Sequence, residues 1–163
     1  MALDKASLVS TLTNIYSSQN TISSAATRTA QAIADYWATG TSIPPFNGVV
    51  DASAATSSMK SAFIGIWSSS PPSKEIAAQK MGNVIDTAFL GLIITGGTHG
   101  LGGIKLTVKA DLISGITDSY INKTTAALHA SAFANTIEAH SITSEVFGTG
   151  VAPAWIPPTG PLV

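Results

Sequence analysis

The strongest constraint on what this chain can fold into is an internal repeat. Leu8-Val9-Ser10-Thr11-Leu12-Thr13-Asn14-Ile15-Tyr16 has a counterpart in Leu112-Ile113-Ser114-Gly115-Ile116-Thr117-Asp118-Ser119-Tyr120, at an offset of 104 residues. The same offset relates Ala26 to Ala130, Ala30 to Ala134 and Ile33 to Ile137. About half of it brings up a third copy, in which Ile15-Tyr16-Ser17-Ser18 matches Ile66-Trp67-Ser68-Ser69 and Ala25-Ala26 matches Ala77-Ala78. Each copy closes on Thr-Gly, at Thr39-Gly40, Thr95-Gly96 and Thr149-Gly150. One repeat unit cannot bury its apolar face alone, so the copies must pack on one another.

The hydrophobic periodicity says what each copy is. Leu8, Leu12, Ile15 and Tyr16 fall on one face of a helix, and Ala26, Ala30, Ile33 and Trp37 fall on a second. Further faces are Ala55, Met59, Ala62, Phe63 and Ile66; Ala77, Met81, Val84, Ile85, Ala88 and Leu92; Leu112, Ile116 and Tyr120; and Ala126, Ala130, Phe133, Ala134 and Ile137. Asp4, Ser23 or Ser24, Asp51, Ser73 and Asp111 stand where an N-cap oxygen would satisfy free backbone N–H groups. Gly40 and Gly96 stand where second helices would end. Links of about five residues within a pair force antiparallel neighbours. The expected fold is mainly α, with three tandem αα-hairpins forming a six-helix bundle. The hairpins cover about 4–40, 51–96 and 111–147, within a helical domain of residues 1–150.

Between hairpins the composition changes. Gly40 to Val50 holds Pro44-Pro45 and Gly48, and Gly96 to Gly103 is glycine-rich. Ile104-Lys105-Leu106-Thr107-Val108-Lys109 alternates strictly, which predicts a half-exposed strand, one of one or two short strands in extended linkers. Residues 151–163 carry four prolines and form an extended C-terminal arm. The arm is apolar at Val151, Trp155, Ile156, Leu162 and Val163. It either folds back on its own hairpins or docks on a neighbouring subunit with Trp155 as anchor. Ile104, Leu106 and Val108 could likewise add to a neighbour's sheet edge, while Lys105 and Lys109 would protect a free edge. These eight apolar residues are the candidate protein–protein interface.

Composition narrows the function. Charged residues are 10% of the chain and the net charge is −1, so eight scattered Lys and Arg build no nucleic-acid-binding patch. Hydrophobic residues at 45% argue against disorder throughout. So neutral a surface is poorly defended against association, which points to a chain that lives against copies of itself or a partner. The absence of cysteine excludes disulfides, thiolate zinc sites and a cysteine nucleophile. No signal peptide is visible, and the longest apolar stretch, Val84 to Thr95, contains Asp86 and is too short to span a bilayer.

Motifs for chemistry are weak. Thr95-Gly96-Gly97-Thr98-His99-Gly100-Leu101-Gly102 fits the TGxxxGxG cofactor loop of short-chain dehydrogenases, after Leu92-Ile93-Ile94 as a candidate first strand. That reading is an NAD(P)-dependent oxidoreductase. The context opposes it, because a β-alternating stretch follows the loop where a helix is needed, and Tyr120 and Lys123 lie three residues apart where that family has four. His129 and His140, eleven residues apart, would sit about 16 Å apart on one helix and could not share a metal. They and His99 are expected at the surface or an interface. Trp37 and Trp67 are expected in the core. No GxSxG is present, and the acids appear spread singly along helix starts and outer faces, so no catalytic, cofactor or metal residues are assigned. A small apolar ligand would be favoured only by a sizeable internal cavity.

The opening Met1-Ala2-Leu3-Asp4-Lys5, the Ala/Ser/Thr-rich helical pairs joined by glycine-rich segments, and the closing Phe147-Gly148-Thr149-Gly150-Val151-Ala152-Pro153-Ala154-Trp155-Ile156-Pro157-Pro158 together resemble small structural proteins of tailed-bacteriophage particles. The resemblance implies a non-enzymatic virion component of the neck, tail or baseplate. It would be a homo-oligomer, arranged as a ring, contacting other virion proteins and neither nucleic acid nor membrane, and assembled in the host cytoplasm. It supplies no site residues.

Overall fold

The structure, a computed structural model, describes residues 3–40, 48–69, 73–96 and 101–149, with the backbone alone at 101, 105 and 146–149. Helices α1 (Lys5–Ser17) and α2 (Ile22–Ala38) form the first hairpin, α3 (Ser53–Ser68) and α4 (Lys74–Leu90) the second, and α5 (Lys109–Asn122) and α6 (Ala126–Thr143) the third. Strands β1 (Val49–Asp51), β2 (Ile93–Thr95), β3 (Leu101–Leu106) and β4 (Glu145–Thr149) come from the segments that follow each hairpin. The protein is mainly helical, as the periodicity predicts, and four short strands, where one or two were expected, pair into a small antiparallel sheet.

The hairpins close into a ring. Each helix packs on its neighbours in chain order, and α6 returns to pack on α1. Lys5 Nζ and Glu138 Oε2 pair across that closure at 2.6 Å. Both side chains are partly exposed, so the pair adds at most about 1 kcal/mol and the apolar seam does the closing. All six helices send their apolar face to one interior. Its largest fully buried side chains are Trp37, Phe63, Phe89 and Phe133, joined by Leu12, Ile33, Met59, Met81, Ile85, Leu112, Ile116 and Ile137. Each such side chain contributes about 1.5–3 kcal/mol of transfer free energy. Close approach between helices depends on two glycines. A Cβ on Gly82 of α4 would meet Ile113 Cγ1 of α5 at 2.7 Å, and one on Gly115 of α5 would meet Thr136 Cγ2 of α6 at 2.6 Å.

Helix starts follow the expected chemistry with shifted positions. Asp4 and Ser73 cap α1 and α4 as predicted, accepting from Ser7 and Ile76 backbone N–H. Thr21, rather than Ser23 or Ser24, caps α2, and Thr125 caps α6. Asp51 accepts from Ser53 N–H one residue ahead of the Ala52 N-cap position. Asp111 sits inside the first turn of α5, where its charge favours the helix dipole. Gly40 follows the Thr39 C-cap of α2, but α4 ends at Gly91, and Gly96 instead takes φ +80 directly after β2.

The sheet order is β1-β2-β3-β4, every pair antiparallel. Strands β1 and β2 flank the second hairpin and pair with each other, and β3 and β4 do the same around the third. The predicted strand over 104–109 is corrected to 101–106, because Lys109 already begins α5. Val50, Ile94 and Ile104 point inward and join the helical core. Because the helices run antiparallel, the ring has two different poles. The short loops within hairpins gather at one, and the sheet gathers at the other.

Candidate functional site

The candidate interface residues separate. Ile104 is 5% exposed and belongs to the core, so it offers nothing to a neighbour. Val108 is half-buried and occupies the N-cap position of α5. Leu106 is 58% exposed on the outer face of the sheet. A register shift between Ile104 and Leu106 sets the two residues on opposite faces, although simple alternation would place them together. Val151, Trp155, Ile156, Leu162 and Val163 lie outside the described residues. The outer face carries two further apolar residues that sequence reasoning missed, Val49 at 55% and Ile93 at 42% exposure. Ile93 lies opposite Asp51 on one side and Gly103 on the other, so Val49, Ile93 and Leu106 spread over three strands of that face.

The glycine stretch does not form a nucleotide loop in the described residues. Ile93–Thr95 is antiparallel to both its neighbours and leads to β3, with no helix N-terminus after it. A pyrophosphate cradle needs a strand that feeds a helix. His99 lies outside the described residues.

His140 is not on the surface, which corrects the expectation for that residue, whereas His129 is half-buried in the wall of an open cup. His140 is 1% exposed, and its Nε2 lies 3.1 Å from Asp86 Oδ1. Asp86 is also buried, so the acids are not all on outer faces. The Thr107 hydroxyl donates to it at 2.6 Å, and Lys109 Nζ stands 4.0 Å from its other oxygen. With Nε2–H donating to the carboxylate, His140 Nδ1 is left a buried lone pair with no partner. A second proton on Nδ1 would find no acceptor. Burial therefore holds His140 below the usual histidine range, against the pull of Asp86. The pair fastens α4 to α6 and to the segment between β3 and α5, and among the described residues no serine hydroxyl bonds to the histidine ring. Nearby, Trp37 Nε1–H donates to Ser141 Oγ at 3.2 Å, which satisfies the indole inside the core.

His129 belongs to an aromatic cluster at the loop pole. Its ring lies between Tyr16, at a centroid distance of 4.5 Å, and Tyr120, at 4.6 Å. Its Nδ1 lies 2.7 Å from the Ser119 carbonyl, so Nδ1 carries the proton and Nε2 keeps a lone pair. Burial lowers its pKa, and the Ser119 contact opposes that only in part. Met81 Sδ accepts from Tyr120 Oη at 2.9 Å and from Trp67 Nε1 at 3.3 Å. Burial raises the phenols of Tyr16 and Tyr120 above the ordinary range. Tyr16 Oη sits beside the Thr29 hydroxyl without closing a hydrogen bond of good geometry.

Tyr16, Trp67, Tyr120 and His129 line an open cup of about 700 Å³, with Lys74 and Lys123 among its walls. Tyr16, Trp67 and Tyr120 are the same position in the three repeat copies, near the C-terminal end of the first helix of each hairpin. The repeat alignment contained this convergence, because it pairs Ile15-Tyr16 with Ile66-Trp67 and Tyr16 with Tyr120.

Among the described residues no group of three or more His, Asp or Glu could hold a metal, and no helix is long and apolar enough to cross a membrane. No family model, curated protein or solved structure matches the chain. The fold and its surfaces define a class: a closed array of three helix hairpins, with an apolar sheet face at one pole and an aromatic cup at the other.

Proposed function

We propose that this is a non-enzymatic structural protein that assembles with copies of itself, of the kind built into tailed-bacteriophage particles at the neck, tail or baseplate. The observation that carries the assembly reading is the outer face of the sheet, where Val49, Ile93 and Leu106 are exposed together. Each has apolar area that a partner laid on this face would bury. The chain supplies few charges to oppose association, with 10% charged residues and net charge −1. Its buried polar groups also act in packing: Asp86, His140 and Ser141 bond to neighbouring helices and linkers. The particle assignment rests on the resemblance of the sequence to such proteins, and portal, sheath or tube genes beside this gene would support it.

Sedimentation of the full chain at rising concentration tests the assembly reading. The expected result is self-association in the micromolar range, weakened by Leu106→Lys and by Ile93→Lys. A strict monomer at high micromolar concentration ends the reading. An oxidoreductase would instead gain about 2.7 kcal/mol of stability with NAD or NADP at 100 times its Kd. The expected thermal shift with either is none.

A further inference from the structure

We propose that the aromatic cup at the loop pole receives the proline-rich C-terminal arm of a second copy, with Trp155 seated among Tyr16, Trp67 and Tyr120. This rests on the assembly reading above and adds a second contact between copies to the one at the sheet face.

The first support is chemical. Aromatic-lined grooves are what extended proline-rich segments dock on, because such a segment loses little entropy and stacks its apolar side chains on ring faces. The arm reads Val151-Ala152-Pro153-Ala154-Trp155-Ile156-Pro157-Pro158, apolar throughout. Within the cup, the polar edges of Trp67 and Tyr120 are already satisfied by Met81 Sδ. His129 Nε2 is not: Nδ1–H is spent on Ser119, which leaves a neutral acceptor among rings. An indole offers a matching surface, a large apolar plate with one N–H donor at its edge. The cup, at about 700 Å³, is wide enough for the indole and its flanking residues.

The second support is reach, and it selects the second copy. Thr149 pairs with Leu101 in the sheet, and on the far side of the sheet Val49 pairs with Thr95. Val49 and Thr95 line a depression together with Ala34 and Ala38 of the last turns of α2 and Ser53 at the start of α3. The arm therefore departs from the sheet pole. The cup lies at the other pole, a helix length away, about 25 Å for the 17 residues of α4. Six residues from Thr149 to Trp155 span at most about 22 Å even when fully extended, short of that length before the path has rounded the ring. Trp155 of one copy therefore meets the cup of another. The contact is head-to-tail, and repeating it gives a closed ring or an open stack.

Two full-chain variants and one cross-link test it. Trp155→Ala removes the anchor. Thr124→Trp fills the cup from an exposed position on its wall without touching the core. Each should raise the dissociation constant of the oligomer by about 30-fold or more, as expected for a central aromatic anchor. A photo-reactive phenylalanine analogue at position 155, in a mixture of heavy- and light-isotope chains, should cross-link to the helix ends bearing Tyr16, Tyr120 or His129, joining heavy to light. Cross-links confined to one isotope, or placed on the sheet face, overturn the proposal. So does a chain that associates equally well with and without both substitutions, and that result leaves the assembly reading standing. A wild-type chain that stays monomeric ends both.

Discussion

Whether the ring is held at the observed spacing by two glycines can be tested with one substitution made at three places. Gly65, Gly82 and Gly115 all lie inside helices, α3, α4 and α5. In an unencumbered helix Gly→Ala stabilises by about 0.8–1.0 kcal/mol, since alanine loses less backbone entropy on folding. At Gly65 a Cβ meets nothing within 4 Å, so the full gain is expected. At Gly82 the new methyl would stand 2.7 Å from Ile113 Cγ1 and 3.2 Å from the Ile113 Cα, and the backbone cannot swing aside as a side-chain tip could. At Gly115 it would meet both branches of Thr136, with Cγ2 at 2.6 Å and Cβ at 3.1 Å. That threonine is stiff at χ1, and its hydroxyl is committed to the Ala132 carbonyl at 3.0 Å. Overpacking of this kind costs about 1–3 kcal/mol, against a propensity gain of about 1. Gly82→Ala and Gly115→Ala should therefore lose about 1 kcal/mol net, while Gly65→Ala gains nearly as much. The gap of about 2 kcal/mol corresponds to roughly 4–8 °C in Tm. Urea titrations followed by circular dichroism, at one fixed protein concentration, should show shifted midpoints with unchanged slopes. Adding Thr136→Ala to Gly115→Ala should recover part of the loss as a favourable coupling. If Gly115→Ala is as stable as Gly65→Ala, the helices are not in the contact described and the reasoning fails.

Three further outcomes follow from the buried polar groups. Burial holds His129 and His140 below the ordinary histidine range in the folded chain. The unfolded chain takes up their protons first, so the stability they lend is full above about pH 6.5 and is lost as pH falls through that value toward the folded pKa. Stability should drop by up to about 1.4 kcal/mol per pH unit for each histidine, and His140→Gln should flatten part of that slope; Tm curves that are flat between about pH 7.5 and 5.5 would refute it. Asp86→Ala strands the buried His140 Nε2–H and the half-buried Thr107 hydroxyl, and should cost about 2–3 kcal/mol. Asp86→Asn keeps an acceptor and should cost less, so a denaturation midpoint for Asp86→Ala equal to wild type would count against the network. Ser141→Ala leaves the Trp37 indole N–H unpaired inside the core and should cost about 1–2 kcal/mol, with a changed near-ultraviolet tryptophan signal; an unaltered signal and midpoint would show that the bond is dispensable.

The helices and their pairing were legible because a closed core imposes one periodicity on every element. Leu8, Leu12 and Ile15, or Phe133, Ala134 and Ile137, have one face to bury and one period that achieves it. The sheet was legible only in part. Its strands β1 and β2 are three residues each, too short to show alternation, and β1 is a strand only because residues more than forty positions away supply its partners. At Leu106 a register shift defeats alternation altogether, and this is why the sequence groups Ile104 with Leu106 while the fold sends one inward and the other outward. The buried Asp86–His140 pair was hidden for a different reason. A polar residue on an apolar helix face shows no sign of its partner when that partner lies 54 positions away on another helix. The cup was present in the sequence as three aligned aromatic residues, but repeat alignment gives equivalence, and only ring closure turns equivalence into proximity.

That closure also explains why the two poles differ so much in chemistry. When three copies of one hairpin close on themselves, each packing on the next as α2 packs on α3 and α6 on α1, every repeat-equivalent position is brought round to the same level of the ring. A residue near the end of each first helix is then directed to the same end of the interior three times over. Aromatic side chains there produce a cup without further design, and Tyr16, Trp67 and Tyr120 do so. At the other pole equivalence is broken, because the segments linking the copies differ in length and composition: one strand follows the first hairpin, two follow the second and one the third. Antiparallel pairing satisfies their backbone groups, and the inner face is covered by the core. Among the described residues no further layer covers the outer face. A fold built this way finishes its interior by symmetry and leaves its sheet half covered, so the apolar residues Val49, Ile93 and Leu106 are the places where a neighbouring molecule has most to bury.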